Sequence, residues 1–243
     1  MSFQDKLLDS FIAFEQVIDL DNPVHTVRKN ALKRFESDGF PTKKDELWKY
    51  TSLKSIIQKD YSLSVKSNPN VGLKDIEKYS INDIDSYKIV FVDGVFNPFL
   101  SNTTHDGMDI CVLSAALSKT KYKKTITKYF NKIVPDDQSL ASLNTSYTKE
   151  GAYIHIPKSV LPEDPVQILH FSSGKNKPLW LQPRNIIIVE ENARVEIIER
   201  HQSLRSHDGA TNSLTEIYAD KNSFIDYYKT VSYTHLTLPT TLS

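Results

Sequence analysis

Hydrophobic and polar positions recur about every 30 residues in the second half of the chain. The recurrence is clearest when Ile187–Glu199 is superposed on Ile217–Lys229, because apolar residues then coincide at both ends of the two segments. Polar residues coincide as well: Glu190 with Asp220, Glu196 with Asp226, and Asn192 with Asn222. A fixed period of strand-like units is typical of a solenoid, in which each unit packs only against its neighbours. If one period is one coil, the two asparagines form a turn ladder.

Short apolar runs and alternating patterns predict β-strands from Gly151 onward. The predicted strands are Ala152–Ile156, Val166–Phe171, Ile186–Val189, Val195–Glu199, Leu214–Ala219 and Phe224–Tyr228. The change of pattern places a domain boundary near residue 145. We therefore expect a helical and mixed α+β region over residues 1–145 and the first coils of a β-rich core over residues 146–230.

The pattern before residue 145 favours helices and one hairpin. A helix over Phe3–Leu20 follows from apolar residues at spacings of three and four, and a second helix begins at Asn22 and Pro23 and ends at Gly39. Asp93 and Gly94 predict a tight turn within Tyr87–Leu100. The other predicted elements are a helical or mixed segment over Lys44–Ile57, a loop over Asn68–Gly72, a strand over Asp109–Leu113, a helix over Ala115–Ile133 and a helical turn over Asp136–Thr145.

Composition narrows the function classes. The 243 residues are 39% hydrophobic and 25% charged, as expected for a globular protein. Thirty basic residues balance thirty acidic ones, so we expect no nucleic-acid partner. No stretch of about 18 apolar residues occurs, and the first twenty residues do not form a signal peptide, so we expect no membrane association. The single cysteine, Cys111, is typical of a reducing cytoplasm.

The last stretch, Val231–Ser243, differs from the rest of the chain. It has no charged residue, and the repeat does not continue into it. Its sequence is similar to a translated DNA-library adapter joined to an interrupted reading frame. We therefore expect a non-native tail, with residues 1–230 forming the amino-terminal part of a longer protein; a natural polar tail is the alternative.

Histidine and cysteine patterns predict no metal site. His201 and His207 lie with Asp208 in a polar segment that we interpret as a solvated loop, because a transition metal needs three or four converging donors. His155 alternates with two isoleucines and is expected to point away from their face, whereas His170 is expected to pack within a sheet. Cys111 lies in an apolar strand, where a thiol behaves as a small hydrophobe.

The charged residues predict no active site. The seven glycines form neither of the common phosphate-binding loops, and the basic run Lys119–Lys128 is interpreted as the solvated face of a helix. Acids of the repeat could belong to a β-helical carbohydrate-active enzyme, a lyase or hydrolase, which needs converging carboxylates. Glu190 and Asp220 flank predicted turns, however, and Glu196 and Asp226 are expected to face outward. We therefore expect no catalytic residues.

Several long segments resemble the SufB/SufD family of iron–sulfur cluster assembly proteins. These segments are Leu140–Asn144 with Gly151–Pro157, Asp164–Phe171 and Pro183–Glu199. Within the family, Gly39–Leu53 (GFPTKKDELWKYTSL) and Val90–Asn97 (VFVDGVFN) are similar to the SufD branch. The resemblance covers essentially residues 1–230.

The resemblance implies a fold and a function. It implies a mainly β chain with a right-handed parallel β-helix, incomplete in this sequence, after a helical amino-terminal region. It also implies a non-catalytic scaffold subunit that pairs with SufB-like and SufC-like subunits, the latter an ATPase, in a complex that builds iron–sulfur clusters. The family's partner-binding helices and proposed cluster residues lie beyond this chain, so no site residue is transferred, and we expect this fragment alone to bind no cofactor. One cysteine is too few for a cluster.

Overall fold

The structure is a computed structural model that describes residues 2–63, 71–79, 85–105, 107–174, 177–205 and 208–232. It is 33% helical and 29% strand, so the class is mixed α/β rather than mainly β as expected. The helices are α1 (Phe3–Glu15), α2 (Pro23–Asp38), α3 (Lys54–Ile57), α4 (Leu73–Ile76), α5 (Leu113–Ser118), α6 (Thr120–Tyr129) and α7 (Ser139–Ser146). Single 3-10 turns cover Glu46–Trp48, Glu77–Tyr79 and Pro98–Leu100.

Most strands form two sheets. The strands are β1 (Tyr87–Val92), β2 (Val95–Phe96), β3 (Asp109–Val112), β4 (Ala152–Ile156), β5 (Val166–Ser172), β6 (Trp180–Leu181), β7 (Arg184–Val189), β8 (Arg194–Ser203), β9 (Ala210–Thr211), β10 (Leu214–Ala219) and β11 (Phe224–Ser232). The first sheet has the order β11-β8-β5-β1-β2 and the second has the order β10-β7-β4-β3, while β6 and β9 pair separately. All pairs are parallel except β1–β2 and β3–β4.

The 30-residue period is the register of the parallel pairs. Ile187 lies opposite Ile217 in the β7–β10 pair, and Val195 lies opposite Ile225 in the β8–β11 pair. The superposition made from the sequence is therefore confirmed residue by residue. Parallel strands that lie between two covered faces carry nearly continuous apolar runs, and Arg184–Val189 is buried along its whole length.

The predicted turn ladder is also confirmed. Asn192 and Asn222 have φ values of 59° and 55°, and the side-chain nitrogen Nδ2 of Asn222 donates to Oδ1 of Asn192 at 3.2 Å. Asparagine tolerates the left-handed region better than other residues with a β-carbon. The hairpin turn is confirmed as well, since Asp93 and Gly94 have φ values of 52° and 79° between β1 and β2.

Helices α1 and α2 lie where the sequence predicted them, but α1 is shorter than predicted. Asn22 caps α2 by accepting a hydrogen bond from the Val24 amide, and Gly39 ends the helix with φ 68°. Helix α1 ends at Glu15 rather than Leu20, because the residues beyond Phe14 contribute no fully buried side chain that could stabilise a longer helix.

The single helix predicted over Ala115–Ile133 is wrong. Two helices, α5 and α6, meet at Lys119, whose backbone is extended. Leu113 and Ala116 form the buried side of α5, whereas Tyr122 and Ile126 form that of α6. On one continuous helix with about 3.6 residues per turn these two pairs would point roughly 130° apart, so the chain bends to bury both.

Side chains between the two sheets form the main core, which includes Ile154, Ile168, Ile187 and Ile197. Helices α5 and α6 cover the outer face of the second sheet through a separate cluster that contains Tyr153 and Ile188. Strands β1 to β3 precede residue 145 and yet belong to these sheets. The helical region thus contributes strands to the same layers as the repeats.

Some predictions concern residues outside the description. Most of the 231–243 tail lies there, although Val231 and Ser232 continue β11. The described part of the Asn68–Gly72 loop is Val71 and Gly72, which precede α4. The short strands β6 and β9 and helix α4 were not predicted.

Candidate functional site

A polar cluster lies inside the core, between the two sheets. Strand β8 alternates so that Val195 and Ile197 face the core, and the same alternation turns Glu199 and His201 inward. His170 on β5 lies directly opposite His201 in the parallel register. All three polar side chains are buried, and their ligand-type atoms lie within 4.8 Å of one another. We call His170, Glu199 and His201 the inner triad.

Glu199 is the centre of the surrounding hydrogen bonds. Its Oε1 lies 2.5 Å from Nε2 of His201 and 2.8 Å from Nζ of Lys229. Its Oε2 accepts hydrogen bonds from Nδ2 of Asn185 and Oγ1 of Thr215, both at 3.0 Å, and from the Tyr227 hydroxyl. The carboxylate therefore has a fixed position in the core. Buried carboxylates need such partners, because an isolated charge in an apolar core is strongly destabilising.

The two imidazoles belong to a stack that runs across the sheet. The ring of His170 lies between those of Phe91 and His201, with centroid distances of 4.8 Å and 4.5 Å and nearly parallel planes. The three residues are neighbours in the register of β1, β5 and β8. The stack fixes both imidazole planes. Nε2 of His170 is buried and has no hydrogen-bond partner among the described residues.

Electrostatics favour an ionised Glu199 beside neutral imidazoles. Burial raises the pKa of Glu199, but the hydrogen bond with His201 and the charge of Lys229 outweigh burial and hold that pKa well below its usual range. Burial lowers the pKa of His170 well below its ordinary value and also lowers that of His201. The neutral rings keep nitrogen lone pairs, and Lys229 balances the carboxylate.

The prediction of a solvated loop at His201 is wrong. Strand β8 extends to Ser203, so His201 is a buried strand residue rather than part of a loop. His207 lies outside the described residues. The burial of His170 within a sheet is confirmed, and so is the outward direction of His155, which pairs with Glu190 at 3.0 Å on the other side of its strand.

The sequence signal for the inner triad is shifted by one residue. Strand β5 pairs with β8 so that His170 lies opposite His201 and Ile168 lies opposite Glu199. The offset there is one residue longer than in the later pairs. A strict 30-residue superposition therefore misaligns the two histidines.

The other acids of the repeat do not converge. Glu190 contacts His155, Asp226 contacts Arg194 at 3.1 Å, and Glu196 is exposed. The basic run in α6 is a solvated face, as predicted: Lys121, which is exposed, contacts Asp109, while Tyr122 and Ile126 are buried beneath.

Cys111 does not fit an iron–sulfur ligand set. It is half-buried in β3, and burial raises the pKa of its thiol to about 11. Cluster ligation requires several thiolates, and this chain has one cysteine. A cluster is therefore not held by cysteines of this chain alone.

A second buried polar cluster joins the helices to the sheets. NH2 of Arg184 lies 2.5 Å from Oε2 of Glu216, and both side chains are enclosed. The guanidinium also donates to Thr145 Oγ1 at 2.7 Å and to Asn131 Oδ1 at 3.1 Å, and lies over the ring of Phe130. All donors and acceptors here have partners within the chain, so this cluster is a structural connection.

Within the described residues, none of the helices has both the length and the apolar character needed to cross a bilayer.

Two family models match the chain. The "SufBD protein N-terminal region" matches residues 1–168, and the "SUF system FeS cluster assembly, SufBD core domain" matches residues 170–237. The chain therefore belongs to the SufB/SufD family.

Curated relatives agree with this assignment. An iron–sulfur cluster assembly SufBD family protein of Synechocystis is 24% identical over 210 residues, 83% of this chain and 46% of that protein. The iron–sulfur cluster assembly protein SufD of Escherichia coli is 22% identical over 204 residues, 82% of this chain and 44% of that protein. SufD of Bacillus subtilis is 25% identical over 119 residues, 48% of this chain and 26% of that protein. The chain thus spans less than half the length of these relatives.

Proposed function

We propose that this chain belongs to a non-catalytic scaffold subunit of SUF iron–sulfur cluster assembly, acting in the cytoplasm. It pairs with a SufB-like subunit and binds a SufC-like ATPase. The observation that carries the proposal is the pair of family models, which together match residues 1–168 and 170–237. Relatives named SufD among the similar proteins support the SufD-like role.

We also propose that the repeats are the first coils of a right-handed parallel β-helix. The support is that three separate parallel pairs, β6–β9, β7–β10 and β8–β11, share one 30-residue offset. The asparagine ladder between Asn192 and Asn222 adds a fourth contact with the same offset. Each repeat thus adds one strand to each of three stacks, which is how a coil of a solenoid is built.

The iron–sulfur cluster is cargo of the assembled complex in this proposal. Its ligands come from partner subunits or from parts of the protein outside this sequence, because the half-buried, protonated thiol of Cys111 cannot hold a cluster alone. In this proposal the chain contributes a rigid surface, which its stacked sheets form.

Two observations on the described residues argue against a catalytic role. The cleft lined by Lys74, Lys78 and Arg205 has a volume of about 160 Å³, below the roughly 300–1,000 Å³ of most small-molecule sites. The carbohydrate-enzyme alternative needs two carboxylates on one exposed face. Among the described acids of the repeat, Glu199 is enclosed, and Glu190 and Asp226 contact basic partners.

Affinity purification after co-expression tests the proposal. The full-length protein carries the tag, and SufB-like and SufC-like proteins from the same genome are expressed without one. We expect all three to elute together, with the tag alone retaining neither partner. Recovery of the tagged protein by itself, while the SufB-like and SufC-like proteins still associate, would contradict the proposal.

A second assay separates scaffold from cluster carrier. After anaerobic incubation with iron and sulfide, we expect cluster absorption from the assembled complex and none from this chain. Absorption from the chain alone that persists in Cys111→Ala would show a cluster site that the proposal excludes.

A further inference from the structure

The inner triad has the composition of a metal site. Two imidazoles and one carboxylate are the donor set of mononuclear zinc sites and of iron(II) sites with open positions. Calcium and magnesium prefer oxygen donors throughout. The three donors here lie within 4.8 Å of one another, on two adjacent strands. Side chains on adjacent strands of a buried sheet have fixed positions, as a metal site requires.

An unpaired buried atom points to a missing ligand. Nε2 of His170 has no hydrogen-bond partner among the described residues, although this atom is buried. Buried polar atoms almost always have a partner. The ring cannot turn towards another one, because Phe91 and His201 stack on its two faces. A cation between His170, Glu199 and His201 would supply that partner.

The two oxygens of Glu199 have different sets of partners. Asn185, Thr215 and Tyr227 all bond to Oε2, which orients the carboxylate in the manner of an outer shell. Oε1 faces His201 and Lys229 instead. A metal ion shared by Oε1 and the imidazoles would replace the hydrogen bond between Oε1 and His201 and the ion pair between Oε1 and Lys229.

Lys229 is the competing cation. Its ammonium group lies 2.8 Å from Oε1 of Glu199 and 3.0 Å from Oγ of Ser213, and its side chain is about one-third exposed. The ammonium group can therefore withdraw towards solvent when another cation binds.

We propose that His170, Glu199 and His201 bind one divalent transition-metal ion of the iron(II) or zinc(II) class, in exchange for the ammonium of Lys229. This site is distinct from the cluster that the complex assembles. It does not depend on the proposed function, since it follows from the donors and their geometry.

Calorimetry with zinc(II) and absorption spectroscopy with cobalt(II) test the site on the full chain. We expect one ion per chain. His170→Gln and Glu199→Gln should weaken binding by about 100-fold or more, because each removes a ligand. His155→Gln is the matched control, since it removes an imidazole beside a different carboxylate, and it should leave the affinity unchanged.

Lys229→Met should change the metal affinity in the opposite direction, and it leaves all three proposed ligands in place. Removing a like charge a few ångströms from a buried ion should raise the affinity on the order of tenfold or more. If His170→Gln or Glu199→Gln fails to fold, the metal affinity of Lys229→Met tests the proposal instead. Binding that is absent in the wild-type chain, insensitive to the triad variants, or no tighter in Lys229→Met overturns the proposal.

Discussion

At Gly151 the backbone has φ +143° and passes directly over the chain at Arg184. A β-carbon there would lie 1.9 Å from the carbonyl oxygen of Arg184, a distance that no side-chain motion can relieve. We predict that Gly151→Ala lowers the free energy of unfolding by at least about 2 kcal/mol, measured by urea denaturation.

Gly72→Ala is the matched control for Gly151→Ala. A β-carbon at Gly72 meets no atom within 4 Å, and its φ of −114° suits any residue. We expect the free energy of unfolding of Gly72→Ala to change by less than about 0.5 kcal/mol. Equal losses at the two positions would contradict the close approach of the chain at Gly151.

Cys111 gives a pH-dependent prediction. Because burial raises the pKa of its thiol to about 11, only about one thiol in a thousand is ionised at pH 8. Alkylation by iodoacetamide should be slow at neutral pH and should accelerate about tenfold per pH unit up to the pKa. Mass spectrometry in native buffer and in urea measures both rates. A folded chain that reacts as fast as the unfolded one at neutral pH would contradict the burial.

At the level of elements, the Arg184–Glu216 pair connects helices α6 and α7 to strands β7 and β10. Arg184→Met leaves an enclosed carboxylate without its counter-ion, which should reduce stability by about 3–5 kcal/mol. The double variant Arg184→Met with Glu216→Leu removes both charges and should recover most of that loss. Urea denaturation of Arg184→Met, Glu216→Leu and the double variant measures the coupling energy between the two side chains. Strictly additive losses would contradict an ion pair that acts as one unit.

Sequence patterns predicted the elements whose periodicity is unbroken. The later strands and the asparagine ladder follow from a strict 30-residue superposition, and α2 follows from its cap at Asn22. The break at Lys119 was missed because it depends on where two buried faces meet in space. Strands β6 and β9 have two residues each, too few to show a period.

The inner triad was missed for a related reason. One additional residue separates β5 from β8, so His170 and His201 do not align at the period of the later repeats. The interpretation of His201 as a loop residue rested on its polar neighbours. The structure shows instead that β8 continues to Ser203 and is buried at His201. The location of His201 depends on how β8 pairs with its neighbouring strands, and the residues next to His201 in the sequence do not reveal that pairing.

For the whole molecule, the parallel register supports every larger conclusion. It brings the two histidines together, explains the repeat, and is the basis for proposing a β-helix. The strands β1 to β3 extend the same sheets into the amino-terminal region. The boundary near residue 145 therefore remains a prediction about folding units, which limited proteolysis can examine.

Disulfide formation across the ladder tests this register most directly. In a Cys111→Ala background, we introduce Asn192→Cys and Asn222→Cys, whose native side chains are 3.2 Å apart. A control pairs Asn192→Cys with Asp226→Cys, which lies in β11 four residues after Asn222 and therefore roughly 10 Å or more out of register. Mild oxidation followed by mass spectrometry should show a complete intrachain disulfide in the first pair and almost none in the control. Equal oxidation of the two pairs, or oxidation of the control alone, would contradict the stacked register.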